Sequence, residues 1–241
     1  MSFLLLFILG LICWFFSTVA AGGGATILIP CIVFILSAEM VAPIISMAAL
    51  IANPTRAYAF RKNINWQIIH YLLPGSIIGA ILGSWLFSMV DAQIIQIILG
   101  IFLLSYVLQN MLRQTNYTFK MKLSWFFPLG VIVSFLSGLI GATGPIQNPF
   151  MLNYGVTKEY LVGTKAINSF FMQIAKLISY SYFGVFTSET ISYGVIIGCG
   201  AIIGIFLARN HLKKINTVQF KRYTTSIMFL CGIVMLFKAF Q

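Results

Sequence analysis

Acid is what this chain has least of. Its 241 residues include four carboxylates, Glu39, Asp91, Glu159 and Glu189, and charged side chains of both signs make up 8% of the total. A soluble domain carries about 25% charged residues. The shortage excludes a water-soluble globule, which needs polar side chains to cover its surface. All four acids also fall near the ends of apolar segments, whereas a proton- or sodium-coupled pump places an acid at mid-membrane. Cysteine is nearly as scarce. Cys13, Cys31, Cys199 and Cys231 lie in apolar stretches without Cys-x-x-Cys spacing, so neither a disulfide framework nor a metal site is expected. No nucleotide-binding glycine motif, metal-ligand cluster or nucleophile–base pair is spaced along the chain, and no catalytic residue, metal or cofactor is expected.

What fills the chain instead is apolar: 60% of the residues are hydrophobic. The runs do not alternate as barrel strands do, and a helix of about 20 apolar residues crosses a bilayer core with its backbone satisfied internally. The predicted segments are 3–20, 25–36, 41–60, 66–90, 93–112, 123–140, 146–154, 160–186, 191–208 and 223–237. The first lacks the basic flank of a secretory signal and is read as part of the mature chain. The class expected is an all-α polytopic membrane protein.

The net charge of +11 does not mark a nucleic-acid binder, because the cations are confined to short connections between apolar runs. They gather at Arg56-Arg61-Lys62, Arg113-Lys120-Lys122 and Arg209-Lys213-Lys214-Lys221-Arg222. That distribution follows the positive-inside rule. The connections bearing Asp91 and Glu189 are then outside, and counting crossings places both termini outside.

Two segments, 25–36 and 146–154, are too short to span comfortably. Each follows a glycine-rich break: Gly22-Gly23-Gly24 in one case, Gly141-Ala142-Thr143-Gly144-Pro145 in the other. Displacing the chain by 119 residues lays Gly22 on Gly141, Pro30 on Pro149, Gly75 on Gly194 and Gly79 on Gly198. This register implies a duplication, and the charge map gives the copies opposite orientations. The expected organisation is two inverted repeats, 1–118 and 119–241, each a broken or re-entrant helical hairpin followed by three transmembrane helices. Broken segments at corresponding places in two halves point to a transporter binding site.

Candidate substrate-binding residues follow from that organisation. The first break offers Gly22, Gly23, Gly24 and Thr26. The second offers Thr143, Gly144, Gln147 and Asn148, beside a half-helix whose N-terminus would favour an anion. In the segment 160–186, Lys165, Asn168, Ser169, Met172 and Lys176 share one helical face, and a lysine within a transmembrane segment marks a functional face. Ser46 and Asn53 share a face in the first half, with Ser46 overlaying Lys165 at the 119-residue displacement. Arg56, near the inner end of its segment, reads as an interfacial anchor. The glycine stripes Gly75-Gly79-Gly83 and Gly194-Gly198-Gly200-Gly204 read as packing surfaces between halves.

The order of these elements resembles the TauE/SafE sulfite exporter family. The resemblance is carried by Gly22-Gly-Gly-Ala-Thr-Ile-Leu-Ile-Pro30, Ser46 and the basic hinge Arg61-Lys62-Asn63-Ile64-Asn65-Trp66. In the second half it is carried by Gly138-Leu-Ile-Gly141-Ala-Thr-Gly144-Pro-Ile-Gln-Asn-Pro149 and Gly163-Thr-Lys-Ala-Ile-Asn168. It covers essentially the whole chain. Where many first halves of the family read Gly-Thr-Ser, this chain has Pro43-Ile-Ile-Ser46, so only the serine carries over. The resemblance implies export of small sulfur-containing or organic anions, such as sulfite or sulfoacetate, across the bacterial inner membrane. Two rival readings are uptake of a sulfur compound such as thiosulfate with participation of Cys31, and a membrane-embedded protein without flux.

Overall fold

A computed structural model describes residues 3–19, 24–112, 121–156 and 158–211, together with Phe229 and Ile233. Nine helices run through these residues. They are α1 (Phe3–Val19), α2 (Gly24–Ile35), α3 (Val41–Ala59), α4 (Trp66–Met89), α5 (Ala92–Leu112), α6 (Phe126–Ile140), α7 (Asn148–Asn153), α8 (Lys158–Tyr182) and α9 (Ser188–His211). Among the described residues there is no strand. Short 3₁₀ turns lead into α3, α6 and α7. Of the expected last span, only Phe229 and Ile233 are described, and both are helical.

Among the described residues, four stretches are long and apolar enough to cross a membrane: Ala38–Ala59, Trp66–Met89, Leu123–Ile140 and Ser188–Arg209. With these spans and no strand among the described residues, the chain is an all-α polytopic membrane protein. The helix α8 has the length to span, at 25 residues, and it carries a polar stripe. That stripe is turned inward: Thr164, Lys165, Asn168, Gln173 and Lys176 are all buried.

The helices α4 and α6 pack along one another, as do α1 and α9; α3 packs on α8 and α9, and α8 packs on α4. Glycine makes the closest of these approaches possible. A Cβ at Gly75 or Gly79 would collide with the carbonyl oxygen of Phe127 or Val131 on α6, and one at Gly200 or Gly204 would collide with that of Phe7 or Leu11 on α1. In the reverse direction, Gly130 sits on the Leu72 carbonyl and Gly10 on the Ile197 carbonyl. Small residues at helix contacts bring backbones this close in membranes.

These contacts pair the glycines differently from the 119-residue displacement read from the sequence. The 119-residue displacement pairs Gly75 with Gly194, yet Gly194 and Gly198 pack against Met47 and Ile51 of α3. The residue that packs as Gly75 does is Gly200, 125 positions on, while the α1 and α6 partners differ by 120 positions. The intervening helices account for the shift, since α8 has 25 residues and α3 has 19.

The same contacts fix direction. Successive glycines of α4 meet successive turns of α6 in the same order, so the two helices run parallel; α9 and α1 do likewise. The start of α4 lies beside α8, where the Asn65 amide donates to Thr164 Oγ1 at 2.9 Å. Asn65 also caps α4, its side chain accepting from the Ile68 amide at 3.2 Å. Exposed Arg61 and Lys62 precede this end, and exposed Lys122 precedes the parallel α6. At the opposite end Glu39, Asp91 and Glu189 line an open basin of about 850 Å³. Three of the four acids therefore share one end, and α1 starts from that end while α6 starts from the basic one.

After α6 the chain turns back. Gly141 takes φ +96°, a left-handed conformation that glycine adopts without strain, and its amide donates to the Ser137 carbonyl at 2.8 Å. Asn153, at the end of α7, accepts from the Met121 amide at 2.7 Å. This hairpin thus returns to the end from which α6 set out, so the second broken segment is re-entrant.

Candidate functional site

Where α3, α8, α6 and the turn after α6 converge, a cavity of about 70 Å³ opens in the interior. Its polar lining is Ser17 from α1, Asn53 and Arg56 from α3, Ser137 from α6, Thr143 and Gln147 from the turn, and Lys165, Asn168, Ser169 and Gln173 from α8. Trp14, Ile45, Ala49, Val133, Gly141, Ala142 and Met172 complete the walls. None of the chain's four carboxylates is in this lining. A water needs roughly 10–15 Å³ of such space, so the volume suits a molecule of a few heavy atoms.

Most of the polar side chains also tie one helix to another. Asn53 Nδ2 donates to Ser169 Oγ at 3.0 Å, joining α3 to α8. An Arg56 guanidinium nitrogen donates to Ser17 Oγ at 3.0 Å, joining α3 to α1. Asn168 Nδ2 donates to Ser76 Oγ of α4 at 3.0 Å. Lys165 Nζ donates to Asn148 Oδ1 at the start of α7 at 2.6 Å. A shift of any of these helices therefore alters the cavity lining.

The structure brings some of the sequence candidates together and leaves others apart. Asn53, Thr143, Gln147, Lys165, Asn168 and Ser169 line the cavity. Thr143 does so with its hydroxyl engaged, donating to the Val133 carbonyl at 2.9 Å. Asn148 stands behind Lys165 rather than in the wall. Ser46 is not in the lining; its hydroxyl is buried and donates to the Ala42 carbonyl one turn back at 2.6 Å. Gly144 opens the 3₁₀ turn that leads into α7. Gly22 and Gly23 lie outside the described residues, and of Gly24 and Thr26 only the helical backbone is described.

Lys176 has a different task from the one its position on the stripe suggests. Its Nζ is fully buried and donates to the Ser137 carbonyl at 2.9 Å, to Ser137 Oγ at 3.4 Å and to the Gly141 carbonyl at 3.2 Å. One turn on, the Tyr180 hydroxyl donates to the Gly138 carbonyl. These carbonyls lie at the C-terminal end of α6, the negative end of the helix dipole, where the Gly141 amide also donates to the Ser137 carbonyl. A lysine and a tyrosine from α8 thus cap the broken helix. Of the half-helices after the two breaks, α2 has twelve residues and α7 six.

Four residues of the cavity lining, Arg56, Gln173, Ser17 and Trp14, were not among the sequence candidates. Arg56 is 8% exposed and inside the cavity rather than at an interface. Gln173 lies eight residues after Lys165, a spacing that returns to the same helical face and would have revealed it. Ser17 and Trp14 had no such signal, being ordinary residues of the most apolar opening segment.

Neither the curated proteins nor the solved structures contain a match to this sequence. The family model described as Sulfite exporter TauE/SafE matches residues 6–235. That match covers nearly the whole chain, both cavity-bearing helices and the turn between α6 and α7 included, so the chain belongs to the TauE/SafE sulfite exporter family of membrane transporters.

Proposed function

We propose that this transporter moves a small sulfur oxyanion, sulfite or a close relative, out of the cell across the bacterial inner membrane through the cavity between α3 and α8. One observation carries the reading: the cavity brings Arg56 and Lys165 together among amide and hydroxyl donors, with no carboxylate in its lining. Ionisable groups inside a membrane protein are costly and mark ion pathways. A cavity of about 70 Å³ suits an anion of a few heavy atoms, such as sulfite.

Alternating access is the mechanism that the helix arrangement supports. Exchanging α1 with α6, α3 with α8 and α4 with α9 leaves the main helix pairs unchanged. The glycine contacts repeat in both sets, and α1 and α6 start from opposite ends. These features favour two inverted repeats, 1–118 and 119–241, rocking about a shared site. With the basic end in the cytoplasm and the acidic basin outside, the N-terminus is outside. An inside-negative potential then assists a departing anion by about 2.3 kcal/mol per charge per 100 mV. Thiosulfate uptake through a cysteine is less favoured, because none of Cys13, Cys31 and Cys199 lines the cavity.

A panel of sulfite, thiosulfate, sulfoacetate, taurine and acetate, read by thermal shift of the detergent-solubilised protein, tests the assignment. Stabilisation by sulfite, but not by zwitterionic taurine, is the expected result. A response to taurine alone, or to none of the five, contradicts it.

A further inference from the structure

The cavity presents acceptors as well as cations. Three buried polar atoms of its lining residues have no hydrogen-bond partner: Arg56 Nε, a donor, and Asn168 Oδ1 and Gln173 Oε1, both acceptors. The three residues are 8%, 2% and 3% exposed. The Asn168 amide is oriented by its own Nδ2, which donates to Ser76 Oγ. Such atoms are seldom left unsatisfied in a folded interior.

A fully deprotonated oxyanion offers only lone pairs. It satisfies Arg56 Nε but sets its oxygens against those of Asn168 and Gln173. A singly charged oxyanion that retains one O–H serves both kinds of group, its bare oxygens toward Arg56 and its hydroxyl toward an amide oxygen. We propose that the cavity selects a monoanionic oxyanion carrying its own hydrogen-bond donor, which for sulfite is the hydrogen-sulfite form rather than the dianion. This inference rests on the anion reading above and adds the ionic form of the ligand.

The groups facing that ligand leave its proton where it is. Arg56 faces it from α3 and Lys165 from α8, while α1 contributes Ser17, α6 Ser137, and the turn Thr143 and Gln147. Lys176 lies behind the wall on the α6 carbonyls. No carboxylate is in the lining to accept the proton.

Binding of sulfite and of methanesulfonate to the full-length protein, at pH values on either side of the second ionisation of sulfite, tests the proposal. Methanesulfonate has the same single charge and a similar shape but no O–H. A site built to hydrogen-bond a hydroxyl rejects the analogue lacking it, so methanesulfonate is expected to bind at least roughly tenfold more weakly. Sulfite affinity should fall as the dianion replaces the monoanion, with no matching change for methanesulfonate. Gln173→Met should narrow the gap between the two anions. Equal affinities in the wild-type protein, or sulfite binding that strengthens as the dianion accumulates, would overturn the proposal without touching the anion reading. Binding of neither anion at any pH would overturn both.

Discussion

Lys176 Nζ donates to the carbonyl of Ser137 at 2.9 Å, so a cation of one helix closes the broken end of another. The Gly141 carbonyl, at 3.2 Å, completes the clasp. Removing the ammonium group takes a charge-assisted hydrogen bond from buried carbonyls that keep only neutral donors, the Gly141 amide on Ser137 and Ser137 Oγ on Gly141, at a cost of about 1.5–3 kcal/mol. Lys176→Met should therefore lower the thermal unfolding midpoint by several degrees, and Lys176→Gln should recover part of the loss. The ligand panel should keep its rank order in both variants, since Lys176 is not in the cavity wall.

Glycine substitutions distinguish the register found in the structure from the one inferred from the sequence. Gly79→Ala and Gly204→Ala each drive a Cβ into a backbone carbonyl of the facing helix. Overpacking of this kind costs about 1–3 kcal/mol. Gly198→Ala should cost less, because its nearest neighbours are atoms of the Ile51 side chain. Thermal unfolding of the three variants in one detergent makes the comparison. Equal losses at Gly198 and Gly204 would count against the assigned packing.

The spans, the breaks and the polar stripe of α8 were legible in the sequence because each rests on a local periodicity. Lys165, Asn168 and Ser169 fall at helical spacing, and the fold needs only to turn that face inward. The glycine stripes were legible as packing surfaces, but a constant displacement could not reveal that α8 outruns α3 by more than a turn. Ser46 stands outside the cavity lining, and a sequence overlay does not show that its hydroxyl bends back to the Ala42 carbonyl. Arg56 sits near a helix end, where an arginine ordinarily reaches the interface. Only tertiary packing, with Ser17 of α1 accepting its hydrogen bond, keeps it inside.

Arg56 and Asn53 separate ligand binding from helix coupling. Arg56→Gln removes a cavity charge and weakens the bond to Ser17, so anion affinity should drop about tenfold or more, as when one partner of a charge-assisted hydrogen bond is lost. Asn53→Ala removes the α3–α8 hydrogen bond to Ser169 without changing the charge. It should alter the transport rate more than the affinity. Parallel binding and flux measurements on the two variants test the distinction, and the same ratio of effects in both would remove it.

The central claim is that the anion passes through the cavity held by α3 and α8. Sulfite efflux from proteoliposomes under an imposed potential, wild type against Lys165→Ala, tests it most directly. The account predicts efflux that speeds up when the sulfite-loaded interior is negative and falls at least about tenfold in the variant, the loss of roughly 1.4 kcal/mol of stabilisation. Efflux at the wild-type rate and affinity in Lys165→Ala would contradict it.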